Sequence, residues 1–315
     1  MKLLMIGQGA FGHKHLEVLQ NIDDVEVVSI VGGSDSSTKA TAEKFNIPHW
    51  TLNLDEGLSQ PGVEAAIITS PTPIHAKQAI AVMRAGKHVM IEIPMADNIR
   101  DAEDVCKVQK ETGLVAMAGH TRRFNPSHQW IKNKINKGEL NIQQMDVQTY
   151  FFRRKNLNAL GQPRSWTDHL LWHHACHTVD LFSYQTGEKI IQVQAMEGPI
   201  HSELGIAMDM SIGLKSESGA ICTLSLSFNN DAPLGTFFRY ICDNGTFVAR
   251  YDDLVDGYEK PIDVSKVAVS MNGIELQDRE FIAAIKDSRE PNASVRQALS
   301  AMKVLEQLEQ VLNNS

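Results

Sequence analysis

The sequence predicts an α/β chain in two parts, a doubly wound parallel sheet followed by an α+β domain with an open, mostly antiparallel sheet. Three observations predict it. Gly7-Gln8-Gly9-Ala10-Phe11-Gly12 follows the first apolar run directly. Strand-like and helix-like patterns then alternate as far as residue 120. After Asn125 the rhythm changes to a helix, a long strand and several shorter alternating strands.

Leu3–Ile6 is an apolar strand, and the pattern with Leu16 and Leu19 behind the glycines is a helix. Glu26–Val31, Ala65–Thr69, His88–Ile91 and Leu114–Ala118 read as further strands. Pro73–Ala85 and Ile99–Glu111 read as the helices between them. Together they make the βαβ succession of a parallel sheet covered on both faces. The second part opens with a helix near Ser127–Lys137 and a strand near Ile142–Phe152, then a loop rich in Asn, Gly and Pro, and a histidine-bearing helix. Strands fill Ile190–Tyr251, with turns at Ser216–Gly219 and Asp243–Gly245. Helical patterns at Leu276–Lys286 and Ser294–Leu312 close the chain. The expected domains are 1–120 and 121–315, the latter including the C-terminal helices.

The glycine run has the order strand, tight turn, helix start that a Rossmann dinucleotide site requires. Gly7 permits the turn, Gly9 lets the backbone approach a pyrophosphate, and Gly12 lets helix pack on strand. The amides of Ala10 and Phe11 then face the anion at the helix N-terminus. After the second strand come Gly33, Ser34 and Asp35, followed by Ser36, Ser37 and Lys39. A carboxylate here accepts bonds from the ribose hydroxyls of NAD, so Asp35 favours NAD, whereas the serines and Lys39 suit the NADP phosphate.

The chain has 315 residues, 43% of them hydrophobic and 22% charged, which is ordinary for a globular protein. No apolar run approaches a membrane span and no basic-then-apolar leader opens the sequence, so a cytoplasmic enzyme without membrane contact is expected. Cys106, Cys176, Cys222 and Cys242 form no CxxC pair, which argues against a disulfide framework or cysteine zinc site. A formal net charge of -8 without long basic tracts argues against nucleic acid.

Within that acidic chain, Phe151–Asp180 is cationic and histidine-rich. It carries Arg153, Arg154, Lys155 and Arg164 beside His169, His173, His174 and His177. Guanidinium groups bind carboxylates in a planar fork, and imidazoles move protons near neutral pH. A small anionic substrate and proton transfer are the chemistry this composition serves. His169, His173 and His177 at i, i+4 and i+8 are expected on one helix face. Histidines so spaced bind zinc elsewhere, but no HExxH accompanies them, and no metal is expected. Two adjacent arginines on a strand face opposite ways, so at most one of Arg153 and Arg154 faces a pocket.

Several motifs, in order along the chain, resemble the Gfo/Idh/MocA oxidoreductases. Ser70-Pro71-Thr72-Pro73-Ile74-His75 is similar to that family's TPNxxH loop, and AGKHVMIEIP to its AGKHVxxEKP. Gly119–Phe124 resembles its strand-to-domain junction, and His177-Thr178-Val179-Asp180 its HxxD helix. The resemblance implies a nicotinamide site that includes Ser70, Thr72, His75, Glu92 and Ile93. It also implies ligand contacts at Arg122 and Arg123, and catalysis at His177 with His173 or Asp180 orienting it. Two positions depart from the pattern: the family's EKP lysine is Ile93, and its aspartate four residues before the helix histidine is His173.

Longer blocks, among them GHTRRFNPSHQ, PRSWTDHLLWHHACHTVDLF and PLGTFFRYICDNGT, resemble the branch that serves protocatechuate 4,5-cleavage. Members of that branch oxidise a cyclic hemiacetal bearing two carboxylates to a lactone. The resemblance implies a small dicarboxylate substrate, held by some of Arg122, Arg123, Arg153, Arg164 and His169, and a homodimer or homotetramer. It points to NADP while Asp35 points to NAD, and use of both is expected. The alternatives are a sugar or inositol dehydrogenase of the same family and a non-catalytic dinucleotide sensor.

Overall fold

The computed structural model describes residues 1–157, 161, 163–164, 166–265 and 273–314. Part of the Asn-, Gly- and Pro-rich loop lies outside them. The chain forms two units. One comprises Met1–His120 and Gln277–Leu299, the other Thr121–Leu276 and Ser300–Ser315. Residues Gln277–Leu299, grouped by sequence with the second domain, therefore belong to the first unit.

The first unit alternates β1 (Lys2–Ile6), α1 (Ala10–Leu19), β2 (Glu26–Val31), α2 (Asp35–Lys44), β3 (His49–Thr51), α3 (Leu54–Leu58), β4 (Val63–Ile68), α4 (His75–Arg84), β5 (His88–Ile91), α5 (Ile99–Thr112) and β6 (Ala116–Ala118). All its strand pairs are parallel, in the order β3-β2-β1-β4-β5-β6. Leu3–Ile6, Ala65–Ile68 and Val89–Ile91 are buried throughout, as strands covered on both faces must be. The helix ends follow local chemistry. The Asn98 side chain accepts from Asp101 N at the start of α5, and Gly113 ends that helix at φ +67.

The second unit contains α6 (Pro126–Asn136), β7 (Ile142–Tyr150), α7 (Cys176–Thr186), β8 (Ile190–Glu197), β9 (Asp209–Ser216), β10 (Ile221–Ser227), β11 (Gly235–Cys242), β12 (Gly245–Arg250) and β13 (Asp253–Asp256). Its sheet runs β13-β12-β11-β7-β10-β9-β8 and is mixed, because β7 and β10 pair in parallel while their neighbours are antiparallel. The alternation of β7, β10 and β11 buries Met145, Val147, Leu224, Leu226, Phe238 and Tyr240. Trp172, Val179 and Phe182 are buried in the same unit. Cys242 pairs with Gly245 across a two-residue turn, Asp243-Asn244, as that sequence predicts. Two last helices, α8 (Gly273–Lys286) and α9 (Val295–Asn313), are each divided between the units.

The histidine segment departs from expectation. Leu170–Ala175 is π-helical and only Cys176 onward is α-helical. His169 precedes the helix in extended backbone, φ -121 and ψ 164. The three histidines therefore do not occupy one α-helical face, because the spacing argument presumed 3.6 residues per turn throughout.

The glycine turn is tight for reasons visible atom by atom. A Cβ on Gly12 would lie 2.2 Å from Gly7 O, and one on Gly7 would lie 2.6 Å from Thr69 Oγ1. Gly12→Ala is therefore expected to push α1 off β1, lowering dinucleotide affinity at least about tenfold together with thermal stability. Fluorescence titration with NADPH and a melting curve check this; an unchanged affinity contradicts it.

Candidate active site

In the first unit, the loops after β1, β2, β4 and β5 leave the same end of the parallel sheet, and the strand order reverses between β1 and β4. Such a switch point is where open α/β sheets bind nucleotides. Gly9 caps α1 without a side-chain hydrogen bond, and a Cβ placed there would meet nothing within 4 Å. The helix start at Ala10 and Phe11 is thus open to a pyrophosphate, and these residues fit a dinucleotide. Gln8, which sequence reasoning passed over as a variable position of the fingerprint, joins two loops. Its Oε1 accepts from Gly33 N at 3.0 Å, and its Nε2 donates to Ser37 Oγ at 3.0 Å. Ser34 Oγ lies 2.6 Å from Ser37 Oγ, and exposed Asp35 begins α2 beside them.

On the other side of the switch point, His75 is buried, and its nitrogens lie 2.9 Å from Pro94 O and 2.7 Å from Ser70 O. Burial lowers its pKa, although both carbonyls favour the charged ring. Its nitrogens are thus directed at backbone, so it ties the Ser70 loop to the loop after Glu92. Ser70 Oγ donates to Gln78 Oε1 at 2.5 Å, Thr72 is buried, and Ile93 is half-buried.

Glu92 belongs to a buried charge cluster that the sequence did not announce. His15 Nε2 lies 3.0 Å from Glu92 Oε1, and His15 Nδ1 lies 2.9 and 3.0 Å from the two oxygens of Asp278. Gln277 Nε2 also donates to Glu92 Oε1, at 3.2 Å. Burial works to lower the His15 pKa, but Asp278 and Glu92 outweigh it and raise it to about 10. Burial likewise opposes the Glu92 charge, and His15 and Gln277 reverse that to hold its pKa down. His15 and Asp278 stand 263 residues apart, a separation no local motif bridges.

In the second unit, Asp168 collects the cations of the histidine segment. Arg153 forks onto both its oxygens, with Nη2 to Oδ2 at 2.8 Å. Arg164 Nη1 reaches Oδ1 at 2.6 Å, and His174 Nε2 lies 3.1 Å from Oδ2. Burial opposes the Asp168 charge, yet the bonds from His174 and Arg153 carry its pKa far below the usual carboxylate range. Burial lowers the His174 pKa against the pull of Asp168. Arg153 stacks on Phe228 at 4.3 Å and Arg164 on Trp166 at 5.4 Å. Two guanidinium groups share one carboxylate, which leaves a cationic surplus. Arg154 is exposed and bonds Asn229 Oδ1 at 3.0 Å. Asp168 sits four residues after Arg164 and directly before His169, so that spacing was the available signal.

Arg123 and Asp180 depart from their expected roles. Nε and Nη2 of Arg123 donate to the two Asp180 oxygens at 2.8 and 2.6 Å, with both side chains buried. The fork expected to hold a substrate carboxylate holds a carboxylate of the protein instead, and the group expected to orient His177 is engaged there. Arg122 differs: its guanidinium lies 4.7 Å over Tyr251, its Nε is buried without a hydrogen-bond partner, and burial lowers its pKa. His169 and His173 meet edge to face at 4.8 Å, and His173 stacks on Trp166 at 5.2 Å. His177 opens the first turn of α7, half-buried. Among the described residues no group of three or more His, Cys, Asp or Glu is placed to hold a metal ion. Among them, too, no helix is long and apolar enough to cross a membrane.

With that geometry in place, comparison with known proteins gives the class. Residues 1–120 match the oxidoreductase family with NAD-binding Rossmann fold, and residues 126–268 match the bacterial oxidoreductase C-terminal domain. The chain belongs to the Gfo/Idh/MocA oxidoreductase family. It is 67% identical over 309 residues to the 4-carboxy-2-hydroxymuconate-6-semialdehyde dehydrogenase of Sphingobium sp. (strain NBRC 103272 / SYK-6), covering 98% of each chain. It is 26% identical to the scyllo-inositol 2-dehydrogenase (NAD(+)) of Bacillus subtilis (strain 168), over 44% of this chain and 41% of the relative. Among solved structures, a levoglucosan dehydrogenase in complex with NADH and levoglucosan superposes with a TM-score of 0.88 at 16% identity, covering 100% of this chain and 97% of that one. That likeness concerns the fold. This family member is a dehydrogenase with a site for a nicotinamide dinucleotide.

The His15 cluster gives this dehydrogenase a pH signature. A histidine pKa raised from 6.5 to about 10 contributes stability that is full below 6.5 and is lost as pH rises toward 10. The lowered Glu92 pKa acts oppositely, its contribution fading as pH falls below the ordinary carboxylate range. The melting temperature is expected to drop between pH 7 and 10 more steeply in the wild type than in His15→Gln. Parallel profiles by circular dichroism would contradict this.

Proposed function

We propose that this dehydrogenase oxidises the cyclic hemiacetal of 4-carboxy-2-hydroxymuconate-6-semialdehyde to 2-pyrone-4,6-dicarboxylate, in protocatechuate 4,5-cleavage. NADP is the preferred acceptor and NAD is also used. The observation that carries this reading is the 67% identity, over 98% of the chain, to a relative named for that semialdehyde. The cationic surplus around Asp168 supports it, since a substrate with two carboxylates needs fixed cations to offset desolvation.

When bound, the nicotinamide ring supplies the acceptor for a hydride. The protein's part begins with the hemiacetal hydroxyl. His177 takes its proton while the C–H bond of the same carbon gives up its electron pair, and the C–O bond becomes the lactone carbonyl. Oxygen gaining negative charge makes hydride departure easier, so base and hydride steps assist each other. His173 orients the base or substitutes for it. Arg153 and Arg164 hold one carboxylate and Arg122 offers a second contact, with His169 beside them. In the cofactor site Ser34 and Ser37 suit the 2′-phosphate and Asp35 the ribose hydroxyls of NAD, which supports dual use. The outer face of the second-unit sheet, where Met196 is 72% and Ile221 40% exposed, suits association into a homodimer or homotetramer.

Nicotinamide reduction with the freshly generated hemiacetal, compared between NADP and NAD, tests the reaction. Rapid reduction with pyrone dicarboxylate as product is expected. No reduction with either cofactor, alongside turnover of a neutral sugar or inositol, would overturn the reading. Arg164→Met is expected to raise KM for the dicarboxylate about tenfold or more with a smaller change in kcat, as loss of a ground-state contact requires. His177→Ala is expected to slow single-turnover hydride transfer about 100-fold or more; an unchanged rate removes it from the mechanism.

A further inference from the structure

We propose that His15 is a positioning residue for the nicotinamide half of the cofactor site, acting through Glu92. The inference rests on the reading that Glu92 serves that half of the dinucleotide. The sheet order supports that reading. The fingerprint after β1 takes the pyrophosphate and the loop after β2 takes the adenosine ribose, so the remaining half of the cofactor lies toward β4 and β5. Glu92 directly follows β5, its amide bonded to Ile68 O at 2.8 Å.

One oxygen of Glu92 is held by two side chains of the same unit. Oε1 takes bonds from His15 Nε2 at 3.0 Å and Gln277 Nε2 at 3.2 Å. The backbone leaves no slack on that side, because a Cβ on Gly119 would meet Oε1 at 2.7 Å. The Glu92 side chain as a whole keeps 11% exposure, whereas those of His15 and Asp278 have none. His15 itself cannot turn: both ring nitrogens are bound, and Asp278 grips Nδ1 through two oxygens. The imidazole thus passes the fixed position of Asp278, on α8, to the carboxylate at the end of β5. A preorganised carboxylate binds better than one that must be ordered on binding.

The test compares the affinity of the unliganded enzyme for NADP and for ADP, which carries the adenosine and pyrophosphate end alone. In His15→Gln, calorimetric titration is expected to show NADP weakened about tenfold and ADP changed less than about twofold. Adding His15→Gln to Glu92→Gln is expected to cause little further loss, because the two act in series. Equal weakening of NADP and ADP, or no weakening of NADP, would overturn the proposal. If Glu92→Gln weakens NADP selectively while His15→Gln does not, the Glu92 assignment stands and only the positioning role falls. If Glu92→Gln leaves the NADP-to-ADP ratio unchanged, that assignment fails and takes the proposal with it. Should His15→Gln fail to fold, Asp278→Asn makes the same comparison, because it releases the ring without removing it.

Discussion

A carboxylate taken out of water must be met by a cation or by fixed donors, and that constraint organises both units. Leaving one partner of a buried pair alone costs roughly 3–5 kcal/mol, a large part of a domain's net stability. Asp278 and Glu92 meet His15, Asp180 meets Arg123, and Asp168 meets Arg153, Arg164 and His174. Each pairing joins segments distant in sequence or pins an irregular one. The Arg123–Asp180 fork ties the short turn after β6 to α7, and the Asp168 cluster fastens the loop ahead of the π-helical turn. Burial that would otherwise expel these groups instead makes their geometry definite.

The same constraint separates the cations by function. A guanidinium whose fork is filled from within, as in Arg123, serves as a structural element. Arg153 and Arg164 compete for one carboxylate, so their combined donors exceed what Asp168 accepts. Arg122 rests on an aromatic face with Asp252 acting on it only at longer range. Composition identified this stretch of chain as cationic, but the number of carboxylates each cation meets decides which of them remains available to an anion.

Much of the fold was legible because its signals are local. The bounds of β2, β5 and the start of α5 follow from apolar runs and helical periodicity, and the glycine fingerprint states its own turn. The Asp243-Asn244 hairpin was equally plain. The site was only partly legible. Gln8 is silent in a pattern that specifies glycines, and its value lies in reaching Gly33 and Ser37 across a loop. His15 is one helical residue among others until α8 returns Asp278 to it. The π-helical turn defeated the one-face reading of the histidines because periodicity assumes a helix type that the sequence does not print.

The placement of the imidazoles bears on which of them can act as a base. His15 stays charged through neutral pH between two carboxylates and has no free lone pair to receive a proton. His75 directs both nitrogens at carbonyl oxygens. His128 is fully buried against Tyr240 OH at 2.8 Å, and burial holds its pKa far down. His174 gives Nε2 to Asp168, so taking on another proton would add charge to a cluster already rich in guanidinium. These four are committed to holding the structure. That favours His173 and His177, at the junction of the π and α turns, as the proposed base and its support. Ile93, which follows Glu92 in the loop after β5, cannot move a proton at all. The proposed proton transfer therefore rests on imidazoles of the second unit rather than on a side chain in the loop after β5.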